Sequence, residues 1–111
     1  MFEYNAEIMR VVDGDTVWVK VDLGFDVYHS MSLRLMGINA PEKNTDAGKA
    51  SRDYLTQRLP TGTQVIGKTE KDRQEKYGRY LATVLLPNGT NINNGMVASK
   101  HAVEWDGKGA R

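Results

Sequence analysis

Apolar and polar residues alternate along the first third of the chain. This period of two predicts β-strands over 2–8, 16–23 and 27–38. Asp13–Gly14 is typical of a turn, and Gly24 breaks the second strand. In the third strand, Arg34 lies on the face opposite the aliphatic residues. The pattern therefore predicts a meander of three strands.

The periodicity changes after Pro41. Thr45 or Asp46 can cap a helix over 47–59, and Pro60 ends it. Four residues are predicted to form the apolar stripe of this helix: Ala47, Ala50, Tyr54 and Leu55.

The rest of the chain predicts two more strands and a second helix. The predicted elements are a strand over 63–68, a charged loop over 70–76, a strand over 79–86 and a helix over 91–99 capped by Asn91. Three strands, a helix and two strands is the element order of a five-stranded Greek-key barrel of the OB type. The predicted fold is thus mainly β, with two helices.

Composition narrows the possible classes of protein. A chain of 111 residues predicts a single domain over 1–111, with a loose, Gly-rich tail over 106–111. The net charge of +1 is too small for a strongly basic nucleic-acid coat, so a polyanion would be bound locally. Without cysteine there is no disulfide framework and no thiolate metal site. No apolar run approaches the roughly 18 residues of a membrane helix, and no signal-peptide pattern opens the chain, so we expect a soluble, cytoplasmic protein.

Several polar motifs have residue types suited to phosphodiester hydrolysis. That reaction needs an activated water and stabilisation of charge on the phosphate oxygens. Glu42, in Ala40–Pro41–Glu42, is a candidate general base. Arg34 and Arg79 are candidate phosphate ligands, because each guanidinium offers a planar fork of donors and keeps its charge.

A hard cation could assist this chemistry. Asp15 and Asn39 offer side-chain oxygens, and Ala40 can add a backbone carbonyl. Calcium accepts such irregular oxygen sites. The chain has no Cys and only two His, which argues against zinc. The small number of charged ligands predicts weak binding.

Each of these features also has a purely structural interpretation. Asp13–Gly14–Asp15–Thr16 alone is most often a hairpin turn, and an arginine on a strand is usually a surface charge. We assign no role to His29 or His101. Tyr77 and Trp105 could stack a base, but core or rim packing is an equal alternative for Trp105.

The motifs together resemble the staphylococcal nuclease family. The stretches Val11–Val17, Leu33–Leu35, Ala40–Glu42 and Lys76–Arg79 occur in the family's order, and the resemblance extends from about Ala6 to Val103. It implies a calcium-dependent nuclease that cuts DNA and RNA with water, prefers single strands and leaves 3′-phosphate ends.

Residue by residue, the resemblance assigns the same site. It implies that Asp15 is a metal ligand, that Glu42 is the general base and that Arg34 and Arg79 bind phosphate. Lys76 and Tyr77 match positions that contact the terminal nucleotide phosphate.

Four departures from the family pattern leave an alternative open. Asn39 replaces a metal-binding aspartate, Ala40 replaces a threonine, and the loop after Glu42 is shorter. Metal affinity should fall, and another divalent cation could be preferred. The family's third helix also has no counterpart within these 111 residues, so we expect a monomer unless a partner chain completes the core. The alternative function is a weakly active or inactive module that binds nucleic acid or protein.

Overall fold

The computed structural model describes residues 2–74 and 79–105. Its strands are β1 (Phe2–Asp13), β2 (Thr16–Asp22), β3 (Tyr28–Leu35), β4 (Ile38–Asn39), β5 (Gln64–Gln74), β6 (Tyr80–Leu85) and β7 (Val103–Glu104). Its helices are α1 (Asp46–Arg58) and α2 (Ile92–Ala98). Within the described ranges, neither helix is long and apolar enough to cross a membrane.

Five strands close into a barrel in the order β1–β2–β3–β6–β5, and β5 pairs back onto β1. All pairs are antiparallel except β3–β6, which is parallel. This arrangement confirms the predicted five-stranded OB-type barrel with two helices. The interior is aliphatic, with Ile8, Val17, Val19, Leu35 and Val84 fully buried.

Strand β1 is longer than the predicted strand over 2–8. Its pairing with β2 is irregular between Ile8 and Arg10 and again between Val11 and Asp13. A bulge inserts a residue and shifts the side-chain alternation to the other face, so the period of two is lost beyond Ile8. The strand nevertheless continues to Asp13.

The prediction of a charged loop over 70–76 is wrong for 70–74. The backbone of β5 remains a strand to Gln74, which pairs with Tyr80 of β6. Pairing with a neighbouring strand has overridden the weak strand propensity of charged residues. A further two-stranded sheet, β4–β7, was not predicted, because two-residue strands carry no usable periodicity.

Helix α1 begins where predicted, but its buried face differs. Thr45 is the cap, and its side chain accepts a hydrogen bond from the amide of Gly48. The buried residues are Gly48, Ser51 and Leu55, whereas Ala47 and Ala50 are exposed. Small residues at 48 and 51 let the helix pack closely on the Glu42 loop and on the β1–β2 turn, and an apolar stripe does not identify such a face.

Helix α2 is capped by Asn91, as predicted, and is anchored by a buried polar residue. The Asn93 side chain accepts from the amide of Val84 at 3.0 Å and donates to the carbonyls of Met36 at 2.9 Å and Ala82 at 3.0 Å. These bonds satisfy backbone groups that α2 removes from water. They also tie α2 to the segment that follows β3.

Candidate active site

The turn between β1 and β2 brings two carboxylates close together. Asp13 Oδ1 accepts a hydrogen bond of 3.1 Å from the backbone amide of Asp15. Burial raises the pKa of the Asp13 carboxyl, and the hydrogen bond with the Asp15 carboxyl and its negative charge raise it further. The ionised form of Asp13 is therefore disfavoured next to the Asp15 carboxylate.

Asp15 is almost completely buried and contacts a distant segment. Its side chain is 1% exposed, and Oδ2 accepts a hydrogen bond of 2.9 Å from the amide of Ala40. Oδ2 also lies 3.3 Å from Nη2 of Arg34. One carboxylate thus joins the β1–β2 turn, the end of β3 and the segment after β4.

Arg34 is buried rather than a surface charge. Its side chain is 2% exposed, and it donates to the carbonyls of Leu35 at 2.8 Å and Ile38 at 2.9 Å. The guanidinium carbon also lies 5.7 Å from the ring centroid of Trp105. Arg34 does lie opposite the aliphatic face, but the chain folds over that end of β3, which an alternating pattern cannot reveal.

Trp105 supports this arrangement. Its ring packs on the Arg34 guanidinium, and its amide donates to the carbonyl of Gly37 at 2.9 Å. Of the two interpretations of Trp105, the contacts favour packing, with the ring positioning an arginine.

Thr16 links the second arginine to the same network. Nη1 of Arg79 donates to the Thr16 hydroxyl at 3.1 Å, and that hydroxyl donates to Oδ1 of Asp15 at 3.2 Å. Thr16 also lies directly opposite Arg34 in the β2–β3 register. Sequence reasoning assigned Thr16 no role, although its place beside Asp15 on a strand was a usable signal.

Glu42 lies in an exposed loop whose backbone is held firmly. The Glu42 carbonyl accepts from the Thr45 amide at 3.0 Å and from the Thr45 hydroxyl at 2.6 Å. Helix α1 packs directly on this carbonyl, because a Cβ added at Gly48 would overlap the Glu42 oxygen. The backbone that carries Glu42 is thus fitted to the first turn of α1.

A second close contact fixes the hairpin turn. A Cβ at Gly14 would overlap the Ser51 hydroxyl and press on the Ala40 side chain. Ser51 in turn donates to the carbonyl of His101 at 2.7 Å. The turn, α1 and the segment after α2 therefore meet at one point.

The residues predicted to bind a metal lie on two neighbouring segments of the backbone. Asp15 binds the amide of Ala40, and Asn39 precedes Ala40 in β4. In the ranges 2–74 and 79–105, no group of three or more His, Cys, Asp or Glu could hold a metal. Carboxylate, amide and carbonyl oxygens suit a hard cation. A cation bound there would share the Asp15 carboxylate with Arg34.

Four further residues considered in the sequence lie away from this network or outside the described ranges. Lys76 and Tyr77 lie outside the described residues. His29 is exposed on β3. His101 stacks on Tyr54 with ring centroids 4.3 Å apart and lies 3.0 Å from the Ser99 hydroxyl, an arrangement typical of packing.

The chain is similar to known proteins over most of its length. A family model described as "Staphylococcal nuclease homologue" matches residues 32–107. An "Uncharacterized endonuclease" of Escherichia coli is 35% identical over 95 residues, which cover 86% of this chain and 57% of the relative. The "Thermonuclease" of Staphylococcus hyicus is 34% identical over 90 residues, which cover 76% of this chain and 50% of the relative.

A third relative is far larger. "Endonuclease YhcR" of Bacillus subtilis (strain 168) is 32% identical over 111 residues, covering 90% of this chain and 9% of the relative. The chain thus spans about half the length of the first two relatives and a small part of the third. The extent of the family match, together with the barrel, shows that the chain belongs to the staphylococcal nuclease homologue family.

Proposed function

We propose that this chain is a metal-dependent nuclease that hydrolyses phosphodiester bonds of DNA and RNA with little sequence preference. One observation carries this proposal. Arg79, Thr16, Asp15 and Arg34 form a continuous set of polar contacts, although they come from three separate parts of the chain. Two fixed guanidinium groups beside a carboxylate suit a phosphate and a cation better than they suit a protein surface alone.

The two arginines would hold the phosphate and offset the charge that grows on its oxygens. The Arg34 guanidinium is positioned by two carbonyls, a carboxylate and an aromatic ring and is 2% exposed, so a phosphate would have to displace one of these contacts to reach it. Arg79 would approach from the start of β6, oriented by Thr16. Preorganised donors of this kind are worth about 10²–10³ in rate each.

Glu42 would accept the proton of the attacking water. The water oxygen bonds to phosphorus, the bond from phosphorus to the 5′-oxygen breaks, and the 5′-oxygen leaves as a hydroxyl with a proton from solvent. A 3′-phosphate remains. The hydrogen bonds from Thr45 and the close packing of Gly48 fix the backbone of Glu42. This supports the role, because a general base must be held in position.

Asp15, Asn39 and the Ala40 carbonyl would hold calcium or another hard divalent cation. A cation bound there would lower the pKa of a water and neutralise phosphate charge. Because Asn39 brings no charge, we expect weaker binding than at a site with two carboxylates.

The direct test is cleavage of a labelled single strand across calcium, magnesium and manganese at matched ionic strength. We expect cleavage that chelation abolishes, with products that end in 3′-phosphate. Glu42→Gln should lower kcat at least about 10²-fold without changing the fold. Full activity of Glu42→Gln would overturn its role as the base.

The alternative is a module that binds nucleic acid without cutting it, and Asn39 is the residue that favours it. Equilibrium binding beside the cleavage assay separates the two. Binding without turnover in all three metals would establish the alternative.

A further inference from the structure

Apolar side chains line a cavity at one end of the barrel, where β1 begins, β2 ends and β3 begins. Its volume is about 350 Å³. The lining includes Phe2, Tyr4, Leu23, Met31 and Gly67. Phe2, Tyr4 and Leu23 are also among the exposed large hydrophobic residues, so the cavity opens to solvent. We call this cavity the barrel mouth.

The turn between β2 and β3 presents a phenylalanine beside the barrel mouth. Phe25 is fully exposed. Gly24, Phe25 and Asp26 have φ of 82°, 54° and 59°, a left-handed backbone that a bulky side chain rarely adopts. The amide of Leu23 donates to the carbonyl of Val27, and the amide of Val27 donates to the carbonyl of Gly24, each at 2.9 Å. These hydrogen bonds hold Phe25 at the tip of the turn.

The ring of Phe25 and the barrel mouth match in size and lie close together. An apolar cavity of about 150 Å³ can hold benzene, so the barrel mouth has room for a phenyl ring. Leu23 lines the mouth and precedes Phe25 by two residues. An insertion of this kind, with the ring and the cavity on one surface, can be exchanged between two copies related by a twofold axis.

The apolar surface around the mouth is large enough for an interface. Phe2, Tyr4, Leu23, Phe25 and Val27 are each at least 37% exposed. With about 150–250 Å² for a whole aromatic side chain, the five present on the order of 500 Å². A standard interface covers about 800 Å² per partner, and about 65% of a homodimer interface is apolar. Single exposed apolar residues are ordinary, but a patch of this size marks an interaction site.

Charged residues decide which occupant suits the mouth. Asp22 and Asp26 are exposed on the two sides of Phe25. Their carboxylates would repel the phosphates of a nucleic acid or an anionic lipid. Lys68 lies on β5 between two residues that line the mouth, 3.3 Å from Glu3. The tip of the turn is thus acidic and the β5 rim carries a cation, which suits a second copy of the same surface.

We propose that the chain forms a reciprocal dimer in which Phe25 of each copy enters the barrel mouth of the other. This departs from the monomer expected from the sequence. Strand β2 runs about 20 Å from Thr16, beside the active site, to Asp22, at about 3.3 Å per residue. The interface therefore lies away from Asp15. The dimer goes beyond the proposed function, and its test needs no turnover.

Sedimentation equilibrium from about 1 μM to about 1 mM should show a reversible equilibrium between monomer and dimer. Phe25→Asn removes the ring and suits the left-handed backbone, so the fold is kept. The dissociation constant of the dimer should rise at least about 100-fold, because the ring is lost twice per dimer. The control is Met9→Gln, an exposed apolar residue of β1 outside the mouth, which should leave the constant unchanged.

Three results of this experiment would overturn the dimer. One is a chain that stays monomeric over the whole range. Another is a dimer that Phe25→Asn leaves intact, which would place the interface elsewhere. The third is a series of species larger than a dimer, because insertion without a twofold axis builds open chains. A monomer that binds neutral phosphatidylcholine vesicles through Phe25 would also replace the second copy by a membrane.

A mixture of two variants tests the insertion itself. A Cβ added at Gly67 would lie 3.8 Å from Leu33 without overlap, so Gly67→Leu should fill the mouth and prevent association. In an equimolar mixture with Phe25→Asn, dimers should return, because the Phe25 of one variant meets the open mouth of the other. If both variants are folded by circular dichroism and the mixture stays monomeric, Phe25 does not enter the mouth.

Discussion

The carboxylate of Asp15 lies 3.3 Å from the guanidinium of Arg34, with the two side chains 1% and 2% exposed. A buried pair of this kind is expensive to break, because either charge alone would be desolvated without compensation. The pair therefore has a structural role as well as the proposed catalytic one, and the two roles need separate measurements.

For this reason we predict that Arg34→Ala destabilises the protein by about 3–5 kcal/mol, since it leaves Asp15 buried and unpaired. Urea unfolding followed by circular dichroism measures this loss. Arg34→Lys keeps the charge but not the planar fork, so it should be less destabilising and still poorly active. A stability of Arg34→Ala within about 1 kcal/mol of the unmodified protein would contradict a buried pair.

Thr16 offers a test of the contact between the two arginines. Thr16→Val keeps the shape but removes the hydroxyl that binds Asp15 and Arg79, so kcat/KM should fall roughly tenfold, the equivalent of one hydrogen bond to a charged group. Thr16→Ser should recover most of the activity. If the valine and serine variants are equally active, the hydroxyl does not orient Arg79.

The contact between Gly48 and Glu42 predicts that a substitution at Gly48, outside the reacting groups, lowers kcat. The methyl of Gly48→Ala would overlap the Glu42 carbonyl, so the loop must move. A displacement of about 1 Å can lower kcat about 10²-fold, and we expect a fall of this order in Gly48→Ala.

Gly95→Ala is the matched control for this variant. Gly95 lies within α2, and an added Cβ would meet no atom within 4 Å. Gly95→Ala should keep full activity and gain about 0.5–1 kcal/mol of stability. Equal activity of Gly48→Ala and Gly95→Ala would show that the α1 contact does not position Glu42.

Asn39→Asp tests the metal ligands directly. A second carboxylate beside Asp15 should raise calcium affinity at least about tenfold, because affinity in oxygen sites follows the count of charged ligands. Isothermal titration calorimetry measures this without turnover. Asn88→Asp, on an exposed turn, controls for the added charge. An identical gain in both variants would place the cation elsewhere.

The barrel was predictable because its strands obey a simple period. Val17, Val19 and Leu33 point inward as the alternation requires. The pattern was lost where bulges shift it, at Arg10, and where pairing alone sustains a strand, at Gln74. The buried face of α1 was missed because close approach depends on Gly48 and Ser51, which have no apolar signal.

The candidate site was predictable as a set of residue types but not as a geometry. Asp15 and Ala40 do lie together, as the motifs implied. The burial of Arg34 under Trp105 and the Thr16 contact depend on side-chain packing between segments far apart in sequence. No local pattern records such contacts.

The junction of Gly14, Ser51 and the His101 carbonyl has a consequence for heating. The turn that presents Asp15 and the helix that braces the Glu42 loop press on each other there, so neither can loosen alone. Thermal inactivation and the loss of helical signal should then share a single midpoint. No populated intermediate should keep its helices after activity is lost.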